Sequence, residues 1–171
     1  TGLVACLFAS VVEGAKVAHV ARHGRRVSAI TAETDEGPQT VTCDMIVNCA
    51  GLWGHQVGRM AGINVPLQAC EHFYVVTEAI AGLTQLPVLR VPDECAYYKE
   101  DAGKMLLGAF EPVSKPWGPP REDFEFDQLP EDFDHFEPIL EQAINRVPML
   151  AEAGIHTFFN GPESFTPDDA Y

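Results

Sequence analysis

The sequence predicts an α+β fold: two groups of short antiparallel strands, a strand-turn-helix unit between them, and one long amphipathic helix near the end. Three observations predict it. Runs of β-forming residues are closed by Gly, Pro and Asp at hairpin spacing on both sides of residue 62. The apolar run Met45-Ile-Val47 enters the small-residue turn Asn48-Cys-Ala-Gly51 and continues into Trp53-Gly-His-Gln-Val-Gly-Arg-Met-Ala61, which reads as a helix. Finally, Phe133, Phe136, Ile139, Leu140, Ala143, Ile144 and Val147 recur at intervals of three and four, one apolar helical face.

Taken in order, Val17–Ala21, Val27–Glu33 and Gln39–Cys43 are strands broken by His23-Gly24 and Asp35-Glu-Gly-Pro38, an antiparallel meander. The turn at Ala50-Gly51 puts no bulk in the way of a ligand, and the helix behind it offers unpaired N–H groups to an anion. The same pattern also serves as a plain connection. Gly62 and Pro66 stop the helix. Gln68–Thr77, Val88–Val91, Cys95–Lys99 and Met105–Phe110 then read as a second antiparallel sheet. Glu111–Pro130 carries five of the thirteen prolines and reads as an irregular loop. Asp132–Val147 is the packing helix, with Pro138 early in it, and Ile155–Asp168 is a final strand.

The 171 residues suffice for one compact domain or a piece of something larger. With 46% hydrophobic and 21% charged residues the chain is ordinary globular protein. A net charge of −14 disfavours nucleic acid and anionic membrane, both of which need clustered Lys and Arg, and no run is long enough to span a bilayer. Cys6, Cys43, Cys49, Cys70 and Cys95 form no C-x-x-C pair, and the six histidines are scattered. A reduced, intracellular setting and no metal site are therefore expected. Thr1-Gly-Leu-Val-Ala-Cys-Leu-Phe-Ala-Ser10 resembles the end of an apolar helix and lacks a basic n-region, so the chain reads as starting inside a longer protein.

Alternation in Glu71-His-Phe-Tyr-Val-Val76 puts His72 and Tyr74 on one face of their strand. A neutral His accepts a proton from an ammonium near pH 7, and a Tyr hydroxyl, such as that of Tyr97, hydrogen-bonds an amine or carboxylate. The plainer alternatives are a hydrogen-bonded sheet residue for His72 and a packing partner for Tyr97. Arg90 is a candidate carboxylate clamp, with surface pairing to an acid as the alternative. Lys99 and Lys104 read as surface charges.

The segments Val47-Asn-Cys-Ala-Gly-Leu-Trp53, Gln56-Val-Gly-Arg-Met-Ala-Gly62, Val65-Pro-Leu67 and Glu71-His-Phe-Tyr-Val-Val-Thr-Glu78 resemble flavoprotein amine dehydrogenases of the D-amino-acid oxidase superfamily. The dimethylglycine and sarcosine dehydrogenases are the nearest in kind, and the similarity runs from about Glu13 to the end. The resemblance implies an α/β flavoprotein with FAD as cofactor: residues 1–62 part of a Rossmann-like FAD domain, 63–154 the substrate domain, 155–171 the strand returning to the FAD domain. It implies that Val17, Ala50, Gly51 and Trp53 lie along the cofactor and that His72 and Tyr97 line the substrate side. The turn-rich stretch from Asn160 to Asp168 would come near the flavin.

The implied reaction is oxidation of an N-methylated glycine or similar amine by hydride transfer to flavin. Its partners are a small amine substrate and an electron acceptor that the residues do not identify. The implied location is the mitochondrial matrix in a eukaryote or the cytoplasm in a bacterium. The sequence has no Gly-x-Gly-x-x-Gly fingerprint, no counterpart of the covalent-flavin histidine and no closing glycine-rich segment, so an internal fragment, inactive alone, is expected. Two other readings stay open: a superfamily member that oxidises glycerol 3-phosphate or a D-amino acid, and a non-catalytic binding or regulatory module.

Overall fold

The computed structural model describes residues 9–121, 123–125 and 127–168. The apolar stretch at 1–8, read above as a helix end, lies outside them. The chain divides into two compact units, Thr1–Pro66 and Leu67–Tyr171.

In the first unit β1 (Lys16–His23), β2 (Arg26–Glu33) and β3 (Gln39–Thr42) form an antiparallel sheet in that order. The expected meander is present. His23 pairs with Arg26 across a two-residue turn, and the Gly37 N–H donates to the Thr34 carbonyl at 2.9 Å to close the second. β-Branched residues suit these strands because they pack on a pleated surface. A 3-10 turn, Gly51–Trp53, leads into α1 (Gly54–Met60).

Met45–Val47 is not a strand, contrary to expectation. A strand forms only where a neighbour takes up its N–H and C=O groups, and among the described residues none lies beside it. Met45 and Val47 are accordingly 83% and 85% exposed.

The second unit is a six-stranded antiparallel sheet with one helix. Its strands are β4 (Gln68–Thr77), β5 (Leu89–Val91), β6 (Ala96–Asp101), β7 (Lys104–Ala109), β8 (Lys115–Pro116) and β9 (Ile155–Phe165). Their order is β5-β6-β7-β4. The short β8 pairs with β4 beyond the end of β7, at Cys70 and Glu71, while β9 pairs with β4 along its whole length, from Gln68–Phe165 to Thr77–Ile155. The final strand therefore belongs to this sheet. The expected loop at 111–130 hides β8. Cys95 ends a 3-10 turn, Pro92–Glu94, in the left-handed region at φ 56, one residue before β6 begins.

One face of the sheet carries the core. Phe73, Val75, Tyr98, Leu107 and Phe158 point to α2 (Phe133–Arg146), which answers with Phe136, Ile139 and Ala143. The Phe158 ring lies 4.3 Å from Phe133, 5.5 Å from Phe136 and 6.0 Å from Phe73, centroid to centroid. Burying each such side chain stabilises the fold by about 1.5–3 kcal/mol. The Asp132 carboxylate caps α2 by accepting the His135 N–H at 3.1 Å. Pro138, the sixth helical residue, removes only the bond to the Asp134 carbonyl, and the packed apolar face keeps the helix going.

Candidate active site

The other face of the sheet carries no helix of this unit among the described residues, and it collects the polar and aromatic groups. Because side chains alternate along β4, His72 and Tyr74 point away from the core that Phe73 and Val75 enter. A row crosses four strands: Tyr97 on β6 is registered with Gly108 on β7, Gly108 with Tyr74 on β4, and Tyr74 with Phe159 on β9. Tyr74 and Phe159 stack at 4.6 Å with rings 18° apart. Tyr97 leans against Phe110 at 5.3 Å. Arg90, paired with Tyr97 across β5 and β6, holds its guanidinium 4.4 Å from the Phe110 ring centroid, a cation–π contact. No carboxylate among the described residues pairs with it.

Beside this row opens a cleft of about 760 Å³, lined by His72, Arg90, Tyr97, Phe110, Glu111 and Glu163 among others. Lys99 and Lys104 do not line it. The structure thus brings His72 and Tyr97 into one cavity. His72 Nδ1 lies 2.9 Å from Glu111 Oε2, and Glu111 Oε1 accepts the Phe73 N–H at 2.7 Å. His72 Nε2 faces Glu163 Oε2 at 3.5 Å. The hydrogen bond to Glu111 raises the His72 pKa above its ordinary value, against the opposing effect of burial. For Glu111 burial is the largest influence and disfavours its charge, yet the His72 hydrogen bond and charge together with backbone N–H bonds hold its pKa below the ordinary range. Burial, and then the nearby Glu163 and Glu111, push the Tyr97 hydroxyl up. Tyr97 is therefore a protonated donor near neutral pH. Glu111 and Glu163 were not singled out by sequence, since no local pattern marks them.

The residues read as cofactor contacts all lie in the first unit. Val17 is half-buried on β1. Ala50, Gly51 and Trp53 share one turn, which Asn48 ties at both ends: its Oδ1 accepts the Ala50 N–H at 3.2 Å and its Nδ2 donates to the Gly54 carbonyl at 2.7 Å. Gly51 sits at φ 48, where a Cβ is disfavoured, and open space surrounds the position a Cβ would take. A fixed turn with bare backbone and open space fits the close approach of a cofactor such as FAD. Among the described residues no three His, Cys, Asp or Glu side chains are grouped to hold a metal, and no helix is long and apolar enough to cross a membrane.

Comparison with known proteins fits this arrangement. The mitochondrial sarcosine dehydrogenase of Mus musculus is 43% identical over 144 residues, 84% of this chain and 15% of its own length. The formaldehyde-forming 4-methylaminobutanoate oxidase of Paenarthrobacter nicotinovorans is 40% identical over 160 residues, 91% of this chain and 19% of its own length. Among solved structures, L-proline dehydrogenase from P. horikoshii superposes with a TM-score of 0.69 at 20% identity, covering 90% of this chain and 38% of that one. The chain thus spans less than a fifth of the length of these two curated relatives. The family model described as FAD dependent oxidoreductase matches residues 5–170, nearly the whole sequence, and this chain belongs to the DAO family of FAD-dependent oxidoreductases.

Proposed function

We propose that the complete protein oxidises the N-methylated amine of a small amino acid of the sarcosine or dimethylglycine kind, and that the sheet of β4 to β9 forms its substrate side. The observation that carries this reading is the cleft in which a histidine, a protonated tyrosine, an arginine and three carboxylates converge. The chemistry that FAD would supply at this site is acceptance of the hydride lost from the substrate carbon beside nitrogen.

The chain's own residues prepare that loss. An ammonium has no lone pair to support an iminium, so its proton must leave first. His72 Nε2, the ring nitrogen that Glu111 does not occupy, takes it. The Tyr97 hydroxyl hydrogen-bonds the substrate amine or carboxylate, and Arg90 holds the carboxylate. The Tyr97, Phe110 and Phe165 rings of the cleft wall keep water from the reacting carbon. A cleft with one fixed cation and three carboxylates suits a zwitterion better than a phosphate ester, which favours an amino acid over glycerol 3-phosphate. Val17 and the Ala50-Gly51-Trp53 turn would hold the cofactor, and both sarcosine dehydrogenase and 4-methylaminobutanoate oxidase are relatives whose names specify N-methyl amines.

The test is the visible spectrum of the complete holoenzyme under anaerobic conditions. Sarcosine or dimethylglycine should bleach the flavin band, and His72→Ala and Tyr97→Phe should slow bleaching while flavin stays bound. An unslowed reaction in both variants would remove the site assignment, and a band indifferent to both amines would remove the substrate class.

A further inference from the structure

The cleft holds a titratable pair. Glu111 follows β7 by two residues, its side chain is only 6% exposed, and both of its oxygens are engaged, one by the Phe73 N–H and one by His72 Nδ1. Such a carboxylate cannot rotate without abandoning a buried donor. We propose that Glu111 is the positioning residue of the site, fixing His72 with hydrogen on Nδ1 and turning Nε2 into the cleft as the proton-accepting atom. The proposal rests on the functional reading above and deepens it.

Tautomer and direction follow from the hydrogen bonds. The Phe73 N–H donates to Glu111 Oε1, so that oxygen is an acceptor. An ionised carboxylate is an acceptor at the second oxygen too, and the 2.9 Å contact with Nδ1 then requires the hydrogen to sit on His72. Nε2 is left with the lone pair when the ring is neutral. His72 stands opposite Gly161 in the register with β9, and it is the Phe159 ring that covers that glycine. Among the described residues the charged and titratable groups around the ring are Glu111 beyond β7, Glu163 on β9 and Tyr97 on β6, with Arg90 on β5 and Cys95 at the cleft wall. Glu71 engages Lys115 and Asn160 instead. Of these, only Glu111 is both buried and within hydrogen-bond distance of the ring.

A carboxylate in this position does two things to a base. It removes the tautomer with the wrong nitrogen bare, and it stabilises the imidazolium formed when the substrate proton arrives. The proton moves from substrate nitrogen to His72 Nε2 while Nδ1–H stays on the ring, so charge balances with Glu111 anionic throughout.

The experiment uses the flavin-loaded complete protein without substrate and follows hydrogen–deuterium exchange at the His72 C2 carbon by mass spectrometry across pH, which reports the titration of that one ring. The wild type should titrate above free histidine. Glu111→Gln should lower the midpoint, because its amide oxygen keeps the Phe73 N–H and its NH2 group faces Nδ1, demanding the opposite tautomer. Glu111→Asp, which keeps the charge, should restore part of the elevation. Flavin reduction by the amine should fall by about 10²-fold in Glu111→Gln. A midpoint unchanged in Glu111→Gln overturns the proposal even if activity falls. Should that variant lose flavin, a wild-type midpoint at or below free histidine overturns it equally. Failure of the functional reading looks different: His72→Ala would then reduce flavin at the wild-type rate while the wild-type titration stayed elevated.

Discussion

The ring of Tyr97 lies over the backbone of Gly108, its registered partner on the next strand, so closely that a Cβ on Gly108 would overlap Cζ, Cε1 and the hydroxyl oxygen. A buried glycine in a strand costs conformational entropy and packs nothing. Here it makes the floor on which the tyrosine lies flat.

Gly108→Ala should therefore displace Tyr97 and destabilise the sheet by about 1–3 kcal/mol, the usual cost of overpacking. In the double variant Gly108→Ala with Tyr97→Ala the clash disappears, so most of that loss should be regained. Denaturant unfolding of the four proteins in the cycle measures the coupling; strictly additive losses would mean that the ring moves aside freely.

The His72–Glu111 pair should leave a signature in stability against pH. His72 has a raised pKa, so its contribution is complete below the ordinary value of 6.5 and fades as pH rises through the elevated one. Glu111 has a lowered pKa, so its contribution is complete above 4.5 and fades as pH falls through the depressed one. Both contributions coexist between 4.5 and 6.5. The gap in melting temperature between wild type and Glu111→Gln should be widest in that window and narrow on either side. A gap that kept widening toward alkaline pH would contradict the pairing.

Arg90 packs on an aromatic ring and meets no acid among the described residues, a setting that suits a ligand carboxylate. If it grips the substrate carboxylate, Arg90→Ala removes a charge-assisted bond worth about 1.5–3 kcal/mol, and KM should rise about 10–150-fold. An amine of the same size without a carboxylate should show no such rise. Equal effects on both substrates would assign Arg90 to packing on Phe110 alone.

The β6–β7 hairpin turns through Ala102 and Gly103, both with positive φ, at 51 and 81. A two-residue turn of this kind favours Asn-Gly, because a left-handed alanine costs about 1–2 kcal/mol. Ala102→Asn should raise stability by roughly 1 kcal/mol with no change at the cleft. Thermal unfolding reads the gain, and a loss would show that the hairpin does not hold this turn in solution.

Local pattern alone determined a good deal of this protein. The strands of the meander, the alternation along Gln68–Thr77 that aims His72 and Tyr74 away from the core, and the helix at 133–146 all follow from preferences that span a few neighbouring residues. Together with the segments around Ala50-Gly51 and Glu71–Glu78, these sufficed to indicate the flavoprotein family, which the match over residues 5–170 shows.

Pairing between distant segments decided the rest. Glu111 stands 39 residues from His72, and Glu163, almost at the other end of the chain, reaches the same ring; only the order β7-β4-β9 brings the three together. Gly108 is unremarkable until the register sets it under Tyr97, and Met45–Val47 has a strand's composition but no neighbour among the described residues to make it one. Period and propensity act along the chain, whereas a sheet is closed by hydrogen bonds between remote segments, and which side chains then meet is a property of that register alone.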